Sequence, residues 1–173
     1  MKTTEWSKKA NQFGPILIVT AERGMAQRLT EMMRGLGPVP DTLWAGSEAE
    51  ALHMMELSQP KLVFIEQPGR AVDGLALVKR MRQSAFACRQ APVVMISDDA
   101  TVGAMRAAQS VGAHEFVVRP FSALDLAKRL EVLCVIQRDW IESEVYVGPD
   151  RRRFNSAAKG PERRGRAKAA PSA

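Results

Sequence analysis

Cysteine, histidine and aromatic residues are scarce in this chain of 173 residues. Cys88 and Cys134 stand far apart in no metal-like spacing, which excludes a disulfide framework or a thiolate zinc site and fits reduced thiols in a cytoplasmic protein. His53 and His114 are equally far apart and lack the company that would make a site, so surface or helix-cap roles are expected for both. No apolar run approaches membrane-spanning length, and residues 1–12 lack the apolar core of a signal peptide. One further absence matters more. The strand-like run Ile16-Leu17-Ile18-Val19 ends in Thr20-Ala21 and brings no acid to its carboxyl end, whereas Leu62-Val63-Phe64-Ile65 ends in a lone Glu66. A single carboxylate is a poor home for a hard divalent cation, which takes several oxygens.

The charge is unevenly placed. The net charge is +6, and from Tyr146 onward eight Lys/Arg face only Asp150 and Glu162, so residues 1–145 are neutral as a group. Such asymmetry points to an interaction arm. The arm is poor in apolar residues and rich in Gly, Pro, Ala, Ser and Arg, so residues 143–173 are expected to form a disordered basic tail. Residues 1–12 are expected to be flexible, with the folded domain spanning 13–142.

Inside that domain short β-branched runs alternate with helical stretches. Strands are predicted at Ile16–Val19, Leu62–Ile65, Val93–Ile96 and Phe116–Val118, with a weaker one at Asp41–Ala45. Helical faces are read from Met25, Leu29, Met32 and Leu36; from Ala51, Met55 and Leu57; from Leu75, Val78 and Met81; and from Val102, Met105 and Ala108. The best marked runs through Leu126, Leu130, Leu133, Ile136 and Trp140, with Ser122 and Asp125 as a capping box. Alternation of this kind predicts an α/β fold with a five-stranded doubly wound parallel sheet. The flavodoxin-like order 2-1-3-4-5 follows, with the site at the carboxyl ends of strands 1, 3 and 4.

Four segments in order resemble the receiver domain of bacterial response regulators (CheY-like), over roughly residues 14–137. They are Pro60–Glu66, Asp73-Gly74, Val93–Ser97 and Gly112–Phe121. The resemblance implies a phosphoacceptor aspartate where Glu66 stands and two magnesium-binding acids where Thr20 and Ala21 stand. It further implies a switch made by Ser97 and Phe116, and a phosphate-binding lysine at Arg119. The chain is therefore identified as a degenerate, pseudo-receiver type. Glu66 carries its carboxylate about 1.5 Å further out than aspartate, one C–C bond, and phosphoryl transfer depends on positioning and charge neutralisation. Asp98 adds bulk and like charge where the family has a small residue. No metal, cofactor or catalytic activity is expected, and Phe116 reads as packing. A longer acid at 66 and a forked base at 119 predict a direct Glu66–Arg119 pair.

Two features lie outside that comparison. The last helical stripe continues through Trp140 and Ile141, beyond what a five-stranded sheet needs, and points to a partner contact or a homodimer through the last helix. The alternative is that Trp140 folds back on its own domain. In the tail, Gly148-Pro149-Asp150-Arg151-Arg152 returns as Gly160-Pro161-Glu162-Arg163-Arg164. Each copy is a turn that presents an arginine pair, which suits a bivalent arm. The leading expectation is a protein-interaction module in two-component or phosphorelay signalling, its partner a histidine kinase, another regulator or an effector. Two others stand beside it: a nucleic-acid-associated protein using the tail, with the receiver fold as dimerisation scaffold, and a conventional phosphoacceptor.

Overall fold

The structure is a computed structural model that describes residues 4–67 and 72–153. Its elements run α1 (Glu5–Lys9), β1 (Ile16–Val19), α2 (Arg23–Leu36), β2 (Thr42–Ala45), α3 (Glu48–Ser58) and β3 (Leu62–Glu66). They continue with α4 (Gly74–Gln83), β4 (Val93–Ser97), α5 (Val102–Ser110), β5 (Glu115–Val118), α6 (Ala123–Val135), β6 (Trp140–Glu142) and β7 (Val147–Pro149). The main sheet is parallel with strand order 2-1-3-4-5, and β6 and β7 form a separate antiparallel pair.

Continuous apolar runs make the central strands because helices cover both faces, so no position has to be polar. Alternate side chains then feed two cores. Leu17, Val19, Val63, Ile65, Val93 and Met95 meet Ala51, Met55, Leu77, Val78, Met81 and Phe116 on one face. Ile16, Ile18, Phe64, Val94 and Ile96 meet Met25, Leu29, Met33, Leu126 and Leu130 on the other. The helix starts follow from short polar caps. Ser47, Asp73, Thr101 and Ser122 each accept a backbone N–H with the side chain, and Ser122 with Asp125 completes the capping box. Among the described residues no helix is long and apolar enough to cross a membrane.

Three expectations need correction. Residues 5–13 are folded: Thr4 caps α1, the turn Ala10–Phe13 follows, and Trp6 is buried against the α2–α6 side of the core. Glu131 on α6 accepts the N–H groups of Glu5 and Trp6, and Lys9 donates to the Cys134 carbonyl near the end of α6. One flank of the last helix is thus covered by the chain's own N-terminal segment.

The second correction concerns the end of α6. The helix stops at Val135, and Trp140 opens a hairpin that folds back on the body. The Trp140 ring packs against the guanidinium groups of Arg82 and Arg89, which lie 5.5 and 5.7 Å from its centroid. Such cation–π contacts anchor it on its own domain, so the stripe through Ile136 and Trp140 is not a helix face. Ile141 remains exposed on β6.

The tail boundary moves for the same reason. Tyr146 is buried, its hydroxyl donates to the Pro149 carbonyl, and Gly148 passes so close to that ring that a Cβ would lie 2.5 Å from the hydroxyl oxygen. The first repeat is therefore a packed turn: Arg151 stacks 4.2 Å from the Tyr146 centroid, and its carbonyl accepts from Gln109 on α5. Arg152 stays solvent-facing. Arg163, Arg164 and the rest of 154–173 lie outside the described residues. Two stripe residues also turn outward, Leu57 and Val102, which are 74% and 61% exposed.

Candidate functional site

The carboxyl ends of β1, β3 and β4 open at one edge of the sheet, and Glu66, Thr20 and the Ser97–Asp98 corner meet there. The backbone just after β3 is tightly placed. A Cβ on Gly74 would stand 2.8 Å from the Glu66 carbonyl oxygen, so α4 can start this close to the mouth only with glycine.

Glu66 is nearly buried and both its oxygens are taken. Thr20 Oγ1 donates to Oε2 at 2.6 Å, and Arg119 Nη1 donates to Oε1 at 2.7 Å. Thr20 in turn accepts the Glu22 N–H, which leaves Glu22 as an exposed cap residue at the start of α2. Arg119 comes from the segment after β5, fixed by its own N–H to the Ser97 carbonyl. Its fork points away from Glu66. Nε and Nη2 bind Asp98 Oδ1 and Oδ2, each at 2.8 Å. The direct pair with Glu66 is present as a single bond, and the bidentate grip of the fork is on Asp98. Burial pulls the Arg119 pKa down, but the hydrogen bonds to Asp98 and Glu66 outweigh it and hold the guanidinium above its ordinary value.

The two halves of this bridge differ in strength. The Asp98 side chain is 70% exposed, so that pair is worth at most about 1 kcal/mol. The bond to Glu66 is largely shielded from water and belongs to the charged hydrogen bonds worth about 1.5–3 kcal/mol. Arg119 is the cation that the two acids of the mouth share.

A magnesium ion does not fit this donor set. Ala21 offers no side-chain oxygen, and both Glu66 oxygens are spent on Thr20 and Arg119. Among the described residues no three His, Cys, Asp or Glu come together as metal ligands. Of the switch-like positions, Ser97 Oγ accepts the Asp99 N–H at 3.0 Å, and Phe116 is buried in the core between the sheet and α5.

A second polar cluster sits at the opposite, amino end of the strands. Arg82 on α4 is buried and donates to the carbonyls of Gly112, Arg89 and Ala91, with His114 Nδ1 3.3 Å from its Nη2. Burial pulls its pKa down to about 9, which leaves it protonated at neutral pH. Gly112 sits at φ +97, a conformation suited to glycine, and turns its carbonyl onto Arg82. His114 is buried, not a surface or cap residue, and burial drives its pKa well below the ordinary value. Glu115 has no exposed surface and is clamped by Arg138 at 2.8 Å and Arg129 at 3.2 Å. None of these residues stands out in the sequence as functional. Trp140 and Tyr146, the only aromatics of an otherwise polar stretch, were the available signal for the fold-back.

An α/β domain with this strand order, an acid at the end of β3 and a hydroxyl at the end of β4 is of the receiver class. The chain belongs to the response regulator receiver domain family, whose pattern matches residues 16–131. It is similar to the signal receiver domain of a DNA-binding response regulator protein (merR) from Colwellia psychrerythraea 34H. That likeness has 20% identity over 68% of this chain and 95% of the other, with a TM-score of 0.62. It is also similar to a putative response regulator from Chloroflexus aurantiacus J-10-fl, at 26% identity over 70% and 97% of the two chains and TM-score 0.62. A receiver domain protein (CheY-like) from Methanospirillum hungatei JF-1 shares the fold at 16% identity, over 69% and 91%, with TM-score 0.59. No curated protein matches this chain. The family match ends at residue 131, so the Trp140–Tyr146 hairpin lies beyond the shared part.

Proposed function

We propose that this receiver domain is a pseudo-receiver: a non-enzymatic protein-interaction module whose acceptor position is held by an internal ion network and takes no phosphoryl group. Receiver domains serve signalling by contact with other signalling proteins. The observation that carries the reading is Arg119 spanning Glu66 and Asp98 while Thr20 occupies the remaining Glu66 oxygen. A phosphoryl group arriving at Glu66 would have to displace a charged hydrogen bond from a nearly buried carboxylate, with no metal to offset its own charge.

The test is incubation with magnesium and a small acyl-phosphate donor, read by intact mass. The unmodified chain should gain no phosphoryl group, and neither should Glu66→Asp alone, because positions 20 and 21 still lack carboxylates. A base-labile phosphoryl adduct on the unmodified chain would overturn the proposal. The nucleic-acid alternative keeps one supporting feature, the solvent-facing Arg152 at the start of the basic segment. Polyanion binding that falls steeply with salt and vanishes on removing residues 154–173 would favour it.

A further inference from the structure

Beside the mouth, α2 and the loop after β5 enclose a groove of about 420 Å³, within the range of small-ligand sites. Met25, Leu29, Met32 and Phe121 form its walls, and Arg28, Arg119 and Asp98 stand at its polar edge. We propose that this groove binds a small amphipathic anion, its apolar body against the methionines, Leu29 and Phe121 and its charged group on Arg28 and Arg119. The consequence for signalling rests on the pseudo-receiver reading: such a ligand would supply at Arg119 the anionic input that Glu66 cannot receive as phosphate.

Three observations lead to this occupant. Arg28 is exposed, and among the described residues no carboxylate pairs with it, so the groove carries an uncommitted cation. Arg119 spends its fork on an acid whose side chain is 70% exposed, an easily exchanged partner, while Nη1 keeps Glu66. A ligand carboxylate or sulfonate can take Asp98's place and return Asp98 to water at little cost. The apolar wall supplies the driving force, and flexible methionines adapt to the ligand's shape. Met25 ties the groove to the mouth, since its sulfur lies 3.2 Å from Arg119 Nη1 and 3.8 Å from Thr20 Oγ1.

The probe is 8-anilinonaphthalene-1-sulfonate, an aromatic body with one anionic group, titrated into the full chain carrying methyl-labelled methionine. A saturable 1:1 isotherm is expected, with shifts at the Met25 and Met32 methyls and little change at Met54 and Met55. Arg28→Gln should weaken binding by about 5–10-fold, on the order of 1 kcal/mol. Met32→Glu, at a half-buried wall position, should weaken it further, and Arg34→Gln elsewhere on α2 should leave it unchanged. The neutral analogue N-phenyl-1-naphthylamine should bind no better than the sulfonate binds Arg28→Gln. Absence of saturable binding, or equal affinity for the sulfonate with and without Arg28, would overturn the site. Binding with Asp98 and Arg119 amides unmoved would overturn the link to the mouth. The phosphodonor experiment is independent of all three outcomes, so failure of the ligand site and failure of the pseudo-receiver reading are distinguishable.

Discussion

Removing Arg138 should cost the domain at least as much stability as removing Arg119 at the mouth. Glu115 has no exposed surface, and Arg138, itself 3% exposed in its side chain, supplies the shorter of its two ion pairs. Breaking a buried pair by deleting one partner typically costs about 3–5 kcal/mol, because the remaining charge stays desolvated. Arg129 remains on the other oxygen, so Arg138→Met belongs near the lower end, about 3 kcal/mol. For a folded body of this size that corresponds to a fall in Tm of about 6–12 °C. The pH dependence separates charge from packing. Burial already raises the Glu115 pKa even though Arg138 and Arg129 oppose it, and loss of Arg138 raises it further. An acid whose folded pKa lies above its unfolded one binds more protons when folded, so stability falls as pH rises between those two values. The deficit of Arg138→Met should therefore be largest at neutral pH and shrink on acidification towards the ordinary carboxylate range. Adding Glu115→Gln should recover much of it. Thermal unfolding followed by circular dichroism at neutral pH and in the ordinary carboxylate range is sufficient, and these are the two pH values compared. A Tm within about 1 °C of the parent, or a loss equal at both pH values, would refute the reasoning.

Other outcomes follow from the same contacts. His114 is held neutral by burial, with Arg82 and Arg138 adding to the effect, while the unfolded residue protonates near its ordinary value. Its folded pKa is depressed, so this contribution to stability is present above pH of about 6.5 and lost as the pH falls below it; His114→Asn should flatten that part of a urea-midpoint profile. Arg119→Lys keeps a charge for Glu66 and loses only the exposed fork, so its unfolding free energy should change by less than about 1 kcal/mol. Arg119→Ala strips the nearly buried carboxylate and should cost about 1.5–3 kcal/mol in the same denaturation assay. Truncation after residue 137 removes Arg138, Trp140 and Tyr146 together and should lower Tm more than Arg138→Met does.

The sheet was legible because its central strands are uninterrupted β-branched and apolar runs, a pattern that a parallel sheet buried on both faces requires. Glu66, Thr20 and Arg119 could be located because each ends or follows such a run. What periodicity cannot convey is which acid a forked base will choose. Asp98 follows β4 directly, within reach of a segment whose position depends on strand pairing, and only the fold brings the two together. The buried polar cluster was missed for a related reason. Arg82, His114 and Glu115 read as solvent-facing in any hydropathy pattern, and their partners are carbonyls or residues up to 32 positions away. The folded N-terminal helix left a faint trace: a capping Thr4 and the pair Trp6 and Ala10, four residues apart on one face. Trp140 followed the helical spacing by coincidence. The break came from Ile136, whose extended backbone ends α6 and lets the chain turn back.

We infer that this receiver fold holds an internal network of Thr20, Glu66, Asp98 and Arg119 where a phosphate and metal site would otherwise lie. Titration of the labelled full chain with magnesium and beryllofluoride, an acyl-phosphate mimic, tests it without requiring any transfer chemistry. The amides of Thr20, Gln67, Ser97 and Arg119 should not move. Saturable, magnesium-dependent shifts at those four positions would show that the acceptor site is still open and would contradict it.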